Sequence, residues 1–144
     1  MKVLIVVTHL LGTGHLARAL VLARAHHAAG HDVHVISGGM PAPHLDADGI
    51  AVTQLPALKS DGVNFRRLLD AQGSEATPGL LDERRAIISR VLADTQPDVV
   101  MTELFPFGRR VLSGEFTALL EAAVNMVPRP LICASIRDIL APPS

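Results

Sequence analysis

Hydrophobic residues follow two different spacings along this chain, one typical of buried strands and the other of amphipathic helices. Residues 3–7 form an unbroken run of five apolar side chains, which predicts a strand covered on both faces. A loop with Gly12 and Gly14 follows, and a helix is predicted over residues 15–29, with Gly30 as its C′ stop. The apolar face of that helix would consist of Leu16, Ala19, Leu20 and Ala23.

The same alternation of strand and helix patterns continues through the rest of the chain. Further strands are predicted at Asp32–Ser37 and at residues 50–55, 99–102 and 131–136. Further helices are predicted at residues 80–95 and 109–123. The core candidates of the first of these helices are Leu81, Ile88 and Leu92. Residues 56–78 form a polar connection in which residues 64–71 have the pattern of a short helix.

This order of elements predicts an α/β fold: a Rossmann-like, doubly wound parallel sheet with helices on both faces. In such sheets, ligands bind at the carboxyl ends of the strands. The corresponding segments here are residues 9–15, 37–40, 103–110 and 135–138. We therefore expect any functional side chains to come from these four segments.

Composition narrows the class of protein further. The chain has 144 residues, of which 49% are hydrophobic, and a mean hydropathy of +0.34, values typical of one packed domain. The formal net charge of −1 gives no general attraction to nucleic acid. Aromatic residues make up only 3%, all of them Phe, so a platform for stacking bases is not predicted either.

Cysteine usage and hydropathy bear on the compartment. The single Cys133 lies in an apolar run, which predicts a buried thiol and excludes a disulfide within the chain. No apolar stretch reaches the length of a membrane span. The apolar start resembles a signal peptide, but it is too short and Thr8, His9 and His15 interrupt it. These features favour a reducing, cytoplasmic location.

The first loop is the strongest candidate for binding. Gly12, Thr13 and Gly14 precede a helix N-terminus, where free backbone N–H groups and the helix dipole favour a polar or anionic group. The segment also fits the loose dinucleotide pattern G-x-G-x-x-A. NAD is disfavoured, because residues 37–39 are Ser-Gly-Gly where a dinucleotide domain needs an acidic residue. The alternative is that these glycines only make a tight turn.

Histidine chemistry is expected at the same place. His15 lies at the N-terminus of the first helix, a position that suits a neutral general base. The alternative is a histidine that only completes the turn. His9 would be a second polar contact or an ordinary loop histidine. The chain has seven histidines but no ligand spacing typical of a metal site, so none is predicted.

Two further strand ends carry charged residues. Glu103 follows the fourth strand and is a candidate for orienting a sugar hydroxyl or pairing with an arginine, while Arg109 or Arg110 would meet a phosphate. A Glu–Arg pair that stiffens the turn, with Phe105 and Phe107 in the core, explains the segment equally well. Arg137 and Asp138 end the fifth strand and would face the cleft, or else form a plain surface ion pair.

Residues 3–39 resemble the start of GT-B glycosyltransferases. The pattern GH-x-x-R-A-x-x-L-A is matched by Gly14, His15, Arg18, Ala19, Val21–Leu22 and Ala23. The branch most similar contains the lipid-linked N-acetylglucosaminyltransferase of peptidoglycan synthesis. The later segments TELFPFGRR and SIRDIL are similar to those of a bacterial glycosyltransferase family in that superfamily. The resemblance covers essentially the whole chain.

This resemblance implies two Rossmann-like domains that face each other across a cleft. The present chain corresponds to the N-terminal, acceptor-binding half, while the other half binds a nucleotide-sugar donor, commonly a UDP-sugar, and no metal or cofactor is needed. By the same resemblance His15 is the base or an acceptor contact. Without the donor-binding half, the chain would be nearly inactive. The loop has fewer glycines than that of the peptidoglycan enzyme, which argues against a lipid-diphosphate acceptor.

Other functions remain open at this stage. The chain ending at Ser144, directly after a strand, also fits a non-catalytic subunit that pairs with a separate donor-binding chain. Half of a nucleotide-sugar epimerase fits the same framework. Phe105, Phe107 and the loop after Leu55 are compatible with peripheral membrane contact or with core packing. An exposed apolar edge is compatible with a homodimer.

Overall fold

The computed structural model describes residues 1–64 and 66–137, so the predicted site residue Asp138 lies outside the described residues. Within these ranges, strands and helices alternate as the hydrophobic pattern predicts. The strands are β1 (Lys2–Val7), β2 (Asp32–Ser37), β3 (Ala51–Gln54), β4 (Val99–Glu103) and β5 (Leu131–Ser135). The helices are α1 (Gly14–Ala28), α2 (Pro78–Thr95) and α3 (Ser113–Val124).

All strand pairs are parallel, and the order across the sheet is β3-β2-β1-β4-β5. β1 lies at the centre, with Ile5 paired to Val35 of β2 on one side and to Met101 of β4 on the other. The chain adds β2 and β3 on one side of β1 and then crosses the sheet to add β4 and β5 on the other side. The winding direction therefore changes between the neighbouring strands β1 and β4. The carboxyl ends of these two central strands lie side by side, which is where ligands bind in sheets of this topology.

The sheet is covered on both faces, as predicted. Alternate residues of β1 point to opposite sides. Val3 and Ile5 pack toward α1, together with the four predicted apolar residues of that helix, all of which are buried. Leu4 and Val6 pack toward α2 and α3 with Phe116 at the centre. The two hydrophobic cores pack on opposite faces of the sheet and so hold the carboxyl ends of its strands in place.

The N-termini of α2 and α1 differ in side-chain capping. α2 begins after Thr77, whose Oγ1 accepts a hydrogen bond from the Leu80 N–H at 3.1 Å, and Pro78 occupies its first turn. α1 begins without a side-chain cap and has no acidic residue in its first turn. Its N-terminus therefore keeps the positive end of the helix dipole available to a ligand.

The short helix predicted at residues 64–71 is wrong. Among the described residues of this segment, Leu69 exchanges two backbone hydrogen bonds with Lys59, both at 2.9 Å, and also forms a bridge with Glu75. Asp70 stabilises the turn that follows, since its Oδ1 accepts hydrogen bonds from the Gln72 and Ser74 N–H groups. Local side-chain bonding to the backbone therefore favours turns over a helix here.

Two other expectations need correction. The helix predicted from residue 109 starts later, because Arg109 has a left-handed backbone (φ 60°) and a 3₁₀ turn at Arg110–Leu112 precedes α3. Cys133 is only partly buried, since β5 is an edge strand whose residues are less covered than those of β1. Of the described helices, none combines the length and the apolar character needed to span a membrane.

Candidate functional site

The predicted convergence of strand ends brings His15 and Glu103 together. His15 lies in the first turn of α1, and Glu103 is the last residue of β4. The Nδ1 atom of His15 is 3.4 Å from Oε1 of Glu103, although 88 positions separate the two residues in the sequence. The Glu103 side chain is 1% exposed and that of His15 24%. The carboxylate is thus buried, whereas the imidazole reaches the surface of the cleft.

A third charged group, Arg18, shares this carboxylate. Its Nε atom is 3.5 Å from the same Oε1 of Glu103. Its Nη2 atom donates hydrogen bonds to the Ile136 carbonyl oxygen at 2.7 Å and to the Ser135 Oγ at 3.3 Å. Arg18 follows His15 by three positions, so both side chains leave α1 on the same face. The end of β5 therefore joins the site through Arg18.

His9 lies beside this group, directly after β1. Its side chain is buried, and neither ring nitrogen forms a hydrogen bond of ordinary geometry within the described residues. Burial lowers the pKa of His9 from its ordinary 6.5; the backbone of Met40 partly opposes this shift, and the Arg109 guanidinium and His15 add to it. Near neutral pH the His9 ring is therefore uncharged.

The glycine-containing loop borders a small cavity of about 240 Å³. One side is formed by residues 9–13, and the other by Met40, Pro41, Lys59 and Ser60. Gly12 has a left-handed backbone (φ 68°), a conformation that costs glycine little. Within the described parts of the chain, no carboxylate oxygen lies within 4.0 Å of the Lys59 ammonium group. The cavity thus combines a cation, the α1 N-terminus and an uncharged imidazole.

Buried polar atoms without a hydrogen bond concentrate at this edge of the sheet. In the described residues they are the two ring nitrogens of His9, Arg18 Nε, Ser37 Oγ and Glu103 Oε2. All of them belong to residues at or beside the carboxyl ends of β1, β2 and β4. Because folded proteins pair most of their buried polar groups, such a cluster indicates a place where water or a ligand completes the bonding.

A second buried ion pair, which the hydrophobic pattern did not predict, joins α2 and α3 beneath the ends of β1 and β2. Arg84 of α2 is fully buried and forms two hydrogen bonds of 3.0 Å with the carboxylate of Glu115 in α3. Its Nη1 also donates to the Gly38 and Pro56 carbonyl oxygens, each at 2.7 Å. Gly38 must lack a side chain, because a Cβ atom would collide with Thr8 Oγ1 and the Arg84 guanidinium. Arg84 thus links α2 and α3 to the ends of β1 and β2.

The arginines and phenylalanines predicted near the strand ends differ in burial. Arg109 turns inward and donates a hydrogen bond from Nε to the Thr8 carbonyl oxygen at 2.6 Å, and burial lowers its pKa. Arg110 and Arg137 are exposed. Phe105 packs in the core against Phe116, with ring centroids 4.8 Å apart, while Phe107 is 56% exposed.

The described residues contain no group of three or more His, Cys, Asp or Glu side chains arranged to hold a metal ion. The charged residues of the cleft are instead paired as one carboxylate with one imidazole and one guanidinium. This arrangement suits proton transfer to and from an oxygen atom of a ligand.

No protein-family model and no curated protein matches the sequence. Solved structures match it in fold. MurG from Acinetobacter baumannii superposes with a TM-score of 0.56 and 17% identity, over 92% of this chain and 34% of that protein. Glycosyltransferase SsfS6 from Streptomyces sp. SF2575, complexed with thymidine diphosphate, gives 0.54 and 17%, over 94% and 49%.

A third match is the UDP-GlcNAc 2-epimerase from Methanocaldococcus jannaschii, with a TM-score of 0.50 and 15% identity, over 93% of this chain and 31% of that protein. The chain thus spans between about a third and a half of the length of the three structures. At these identities the likeness concerns the fold. The predicted fold is confirmed: the chain has the α/β Rossmann-like fold found in GT-B glycosyltransferases.

Proposed function

We propose that this chain is the acceptor-binding domain of a glycosyltransferase, which moves a sugar from a nucleotide-sugar donor, such as a UDP-sugar, to an acceptor hydroxyl. The observation that carries the proposal is the pairing of His15 with the buried Glu103 at the strand ends of this fold. The donor would be held by residues outside this chain, so the chain by itself is expected to show little activity.

In this proposal His15 acts as the general base. An ionised Glu103 carboxylate can only accept a hydrogen bond, so the facing Nδ1 of a neutral His15 must carry the ring proton. The other ring nitrogen, Nε2, then keeps its lone pair. As the acceptor oxygen attacks the anomeric carbon, its proton passes to Nε2. The bond from the anomeric carbon to the nucleoside diphosphate breaks, and the electron pair leaves with the diphosphate.

The neighbouring groups would bind the acceptor. The backbone of Gly12, Thr13 and Gly14 at the α1 N-terminus would hold a polar or anionic group of it. Glu103 would orient the acceptor through His15. Arg137, which is exposed just after β5, would help to orient the acceptor, and Arg109 would act mainly by holding the end of β1 through Thr8.

A turnover assay of the natural gene product that carries this chain tests the base. UDP- and dTDP-sugars would be offered with a panel of hydroxyl acceptors, and release of nucleoside diphosphate measured. We expect His15→Ala to lower kcat by about a hundredfold or more. His27→Ala, an exposed histidine of the same helix, should leave it unchanged. Turnover of the His15→Ala variant within a few-fold of the native rate contradicts the base role.

The same assay separates the alternative enzyme class. An epimerase would convert the nucleotide sugar into its epimer without any acceptor, whereas a transferase would form a glycosylated product. Analysis of the sugar nucleotide by chromatography with no acceptor present distinguishes the two. A converted donor under those conditions would contradict the transferase proposal.

A further inference from the structure

A neutral His15 cannot balance the negative charge of the buried Glu103 carboxylate. A general base must begin the reaction neutral. The side chain of Glu103 is 1% exposed, and a buried carboxylate with no cation beside it is strongly destabilised. If His15 is neutral, the negative charge of Glu103 needs another partner.

Arg18 is the cation that meets this requirement. Within the described residues, the only groups that approach a Glu103 oxygen to within 4.0 Å with a basic nitrogen are His15 and Arg18. Two hydrogen bonds from Arg18 Nη2 to the end of β5 fix the guanidinium, so its Nε faces Oε1 of Glu103. Among the described residues, Arg18 Nε forms no hydrogen bond, so its contact with Glu103 Oε1 is its nearest charged interaction there.

Other charged groups near the pair act from a greater distance. His9 lies after β1 and Arg109 after β4, and neither reaches a Glu103 oxygen within 4.0 Å. The guanidinium of Arg109 is bonded to the Thr8 backbone through Nε. His9 is uncharged near neutral pH because burial lowers its pKa. Neither residue therefore replaces Arg18 as the partner of the carboxylate.

We propose that Arg18 is a positioning residue, whose fixed charge keeps Glu103 ionised while His15 is neutral. Glu103 then accepts the Nδ1 proton of His15, and Nε2 remains available as the base. Without Arg18, the buried carboxylate has two ways to avoid an unpaired charge. It can hold a proton itself, or it can be paired with a protonated His15. In either case the pair no longer consists of an ionised Glu103 and a neutral His15, which the reaction requires. The catalytic consequence rests on the proposed function, whereas the charge state of the pair does not.

The charge state can be measured on this chain without any substrate. Nitrogen-15 NMR of labelled histidine, at near-neutral pH, distinguishes a neutral ring with its proton on Nδ1 from the other tautomer and from imidazolium. We expect the neutral Nδ1–H form in the native chain and its loss in Arg18→Met. Arg18→Gln, which keeps a hydrogen-bond donor but no charge, should behave like Arg18→Met. Arg18→Lys should retain the native form.

Arg24→Met is the matched control, because Arg24 lies on the same helix and bonds to the Asp46 carbonyl oxygen, away from the site. Circular dichroism verifies the fold of each variant. If Arg18→Met or Arg18→Gln folds and His15 still has the neutral Nδ1–H form, the proposal is wrong. If Arg18→Lys loses that form while folded, charge is not the operative property and the proposal is also wrong.

A kinetic cycle in the natural gene product tests the catalytic consequence. We expect Arg18→Met to lower kcat by about tenfold or more and to leave KM for the donor within about twofold. In a Glu103→Gln background the same substitution should have little further effect, because its target is already absent. An equal loss in both backgrounds would mean that Arg18 acts through β5 and would overturn the proposal. Failure of the base role itself appears separately, in the His15→Ala variant.

Discussion

At Gly39, the backbone after β2 packs tightly against the backbone and ring of His9. A Cβ atom there would collide with the His9 carbonyl oxygen and with its Nδ1. We expect Gly39→Ala to lower the free energy of unfolding by about 1–3 kcal/mol, because His9 or the loop must move. Urea titration of the chain measures this.

Gly79 provides the contrasting substitution. It lies in the first turn of α2, and the nearest atom that a Cβ would meet is Thr77 Oγ1 at 3.9 Å. Gly79→Ala should therefore be neutral or stabilising, by up to about 1 kcal/mol. Equal urea midpoints for the two variants would show that His9 is not held by close contact with Gly39.

At the level of elements, the Arg84–Glu115 pair joins α2 and α3 to the sheet. Removing Arg84 would leave Glu115 buried without its partner, together with two unsatisfied carbonyl oxygens. We expect Arg84→Met to cost about 3–5 kcal/mol of unfolding free energy. Arg85→Met, which removes an exposed pair with Asp82, should cost less than about 1 kcal/mol. If the two variants are equally stable in urea, the buried pair does not hold the helices in place.

The elements could be predicted from the sequence to different extents. β1 follows from an unbroken apolar run, the other four strands from short segments rich in apolar and β-branched residues, and α1 from helical spacing. The predicted bounds of all six elements agree with the structure within two residues. The pattern at residues 64–71 has a helical spacing, but backbone pairing of Leu69 with Lys59 determines the structure there. Arg84 could not be placed in the core from its residue type, because its partners lie 28 to 76 positions away in the chain.

The site was predictable only as far as topology determines it. Parallel strands bring their carboxyl ends together, so His15 and Glu103 could be expected at one edge. The part played by Arg18 depends on side-chain direction at the end of β5, 117 positions later, and a glycine-loop motif does not encode that. The burial of the His9 ring nitrogens likewise depends on which backbone groups pack around the ring.

For the whole molecule, the buried His9 and the partly buried His34 make stability depend on pH. Burial lowers the pKa of His9 from 6.5, and it lowers that of His34 as well, with Asp32 partly opposing the shift at His34. A group with a lowered folded-state pKa stabilises the fold fully above its unfolded pKa, and this contribution is lost as the pH falls through the folded value. We therefore expect the free energy of unfolding to decrease as the pH falls below about 6.5.

Urea unfolding at a series of pH values measures this dependence. His9→Gln and His34→Gln should each flatten the decline, while His27→Gln, an exposed site, should leave it unchanged. The expectation is contradicted if the free energy of unfolding of the native chain stays constant as the pH falls from neutral to below about 6.5.

The buried polar atoms at the strand ends that lack a hydrogen bond within the described residues also affect how a ligand could be identified. They belong to segments near residues 9, 18, 37 and 103, which come together only when the whole sheet is folded. A molecule that completes their bonding can bind the folded chain but not the unfolded one, so it must raise the melting temperature by mass action. Acceptor compounds can thus be screened by thermal shift on this chain, with no need for turnover.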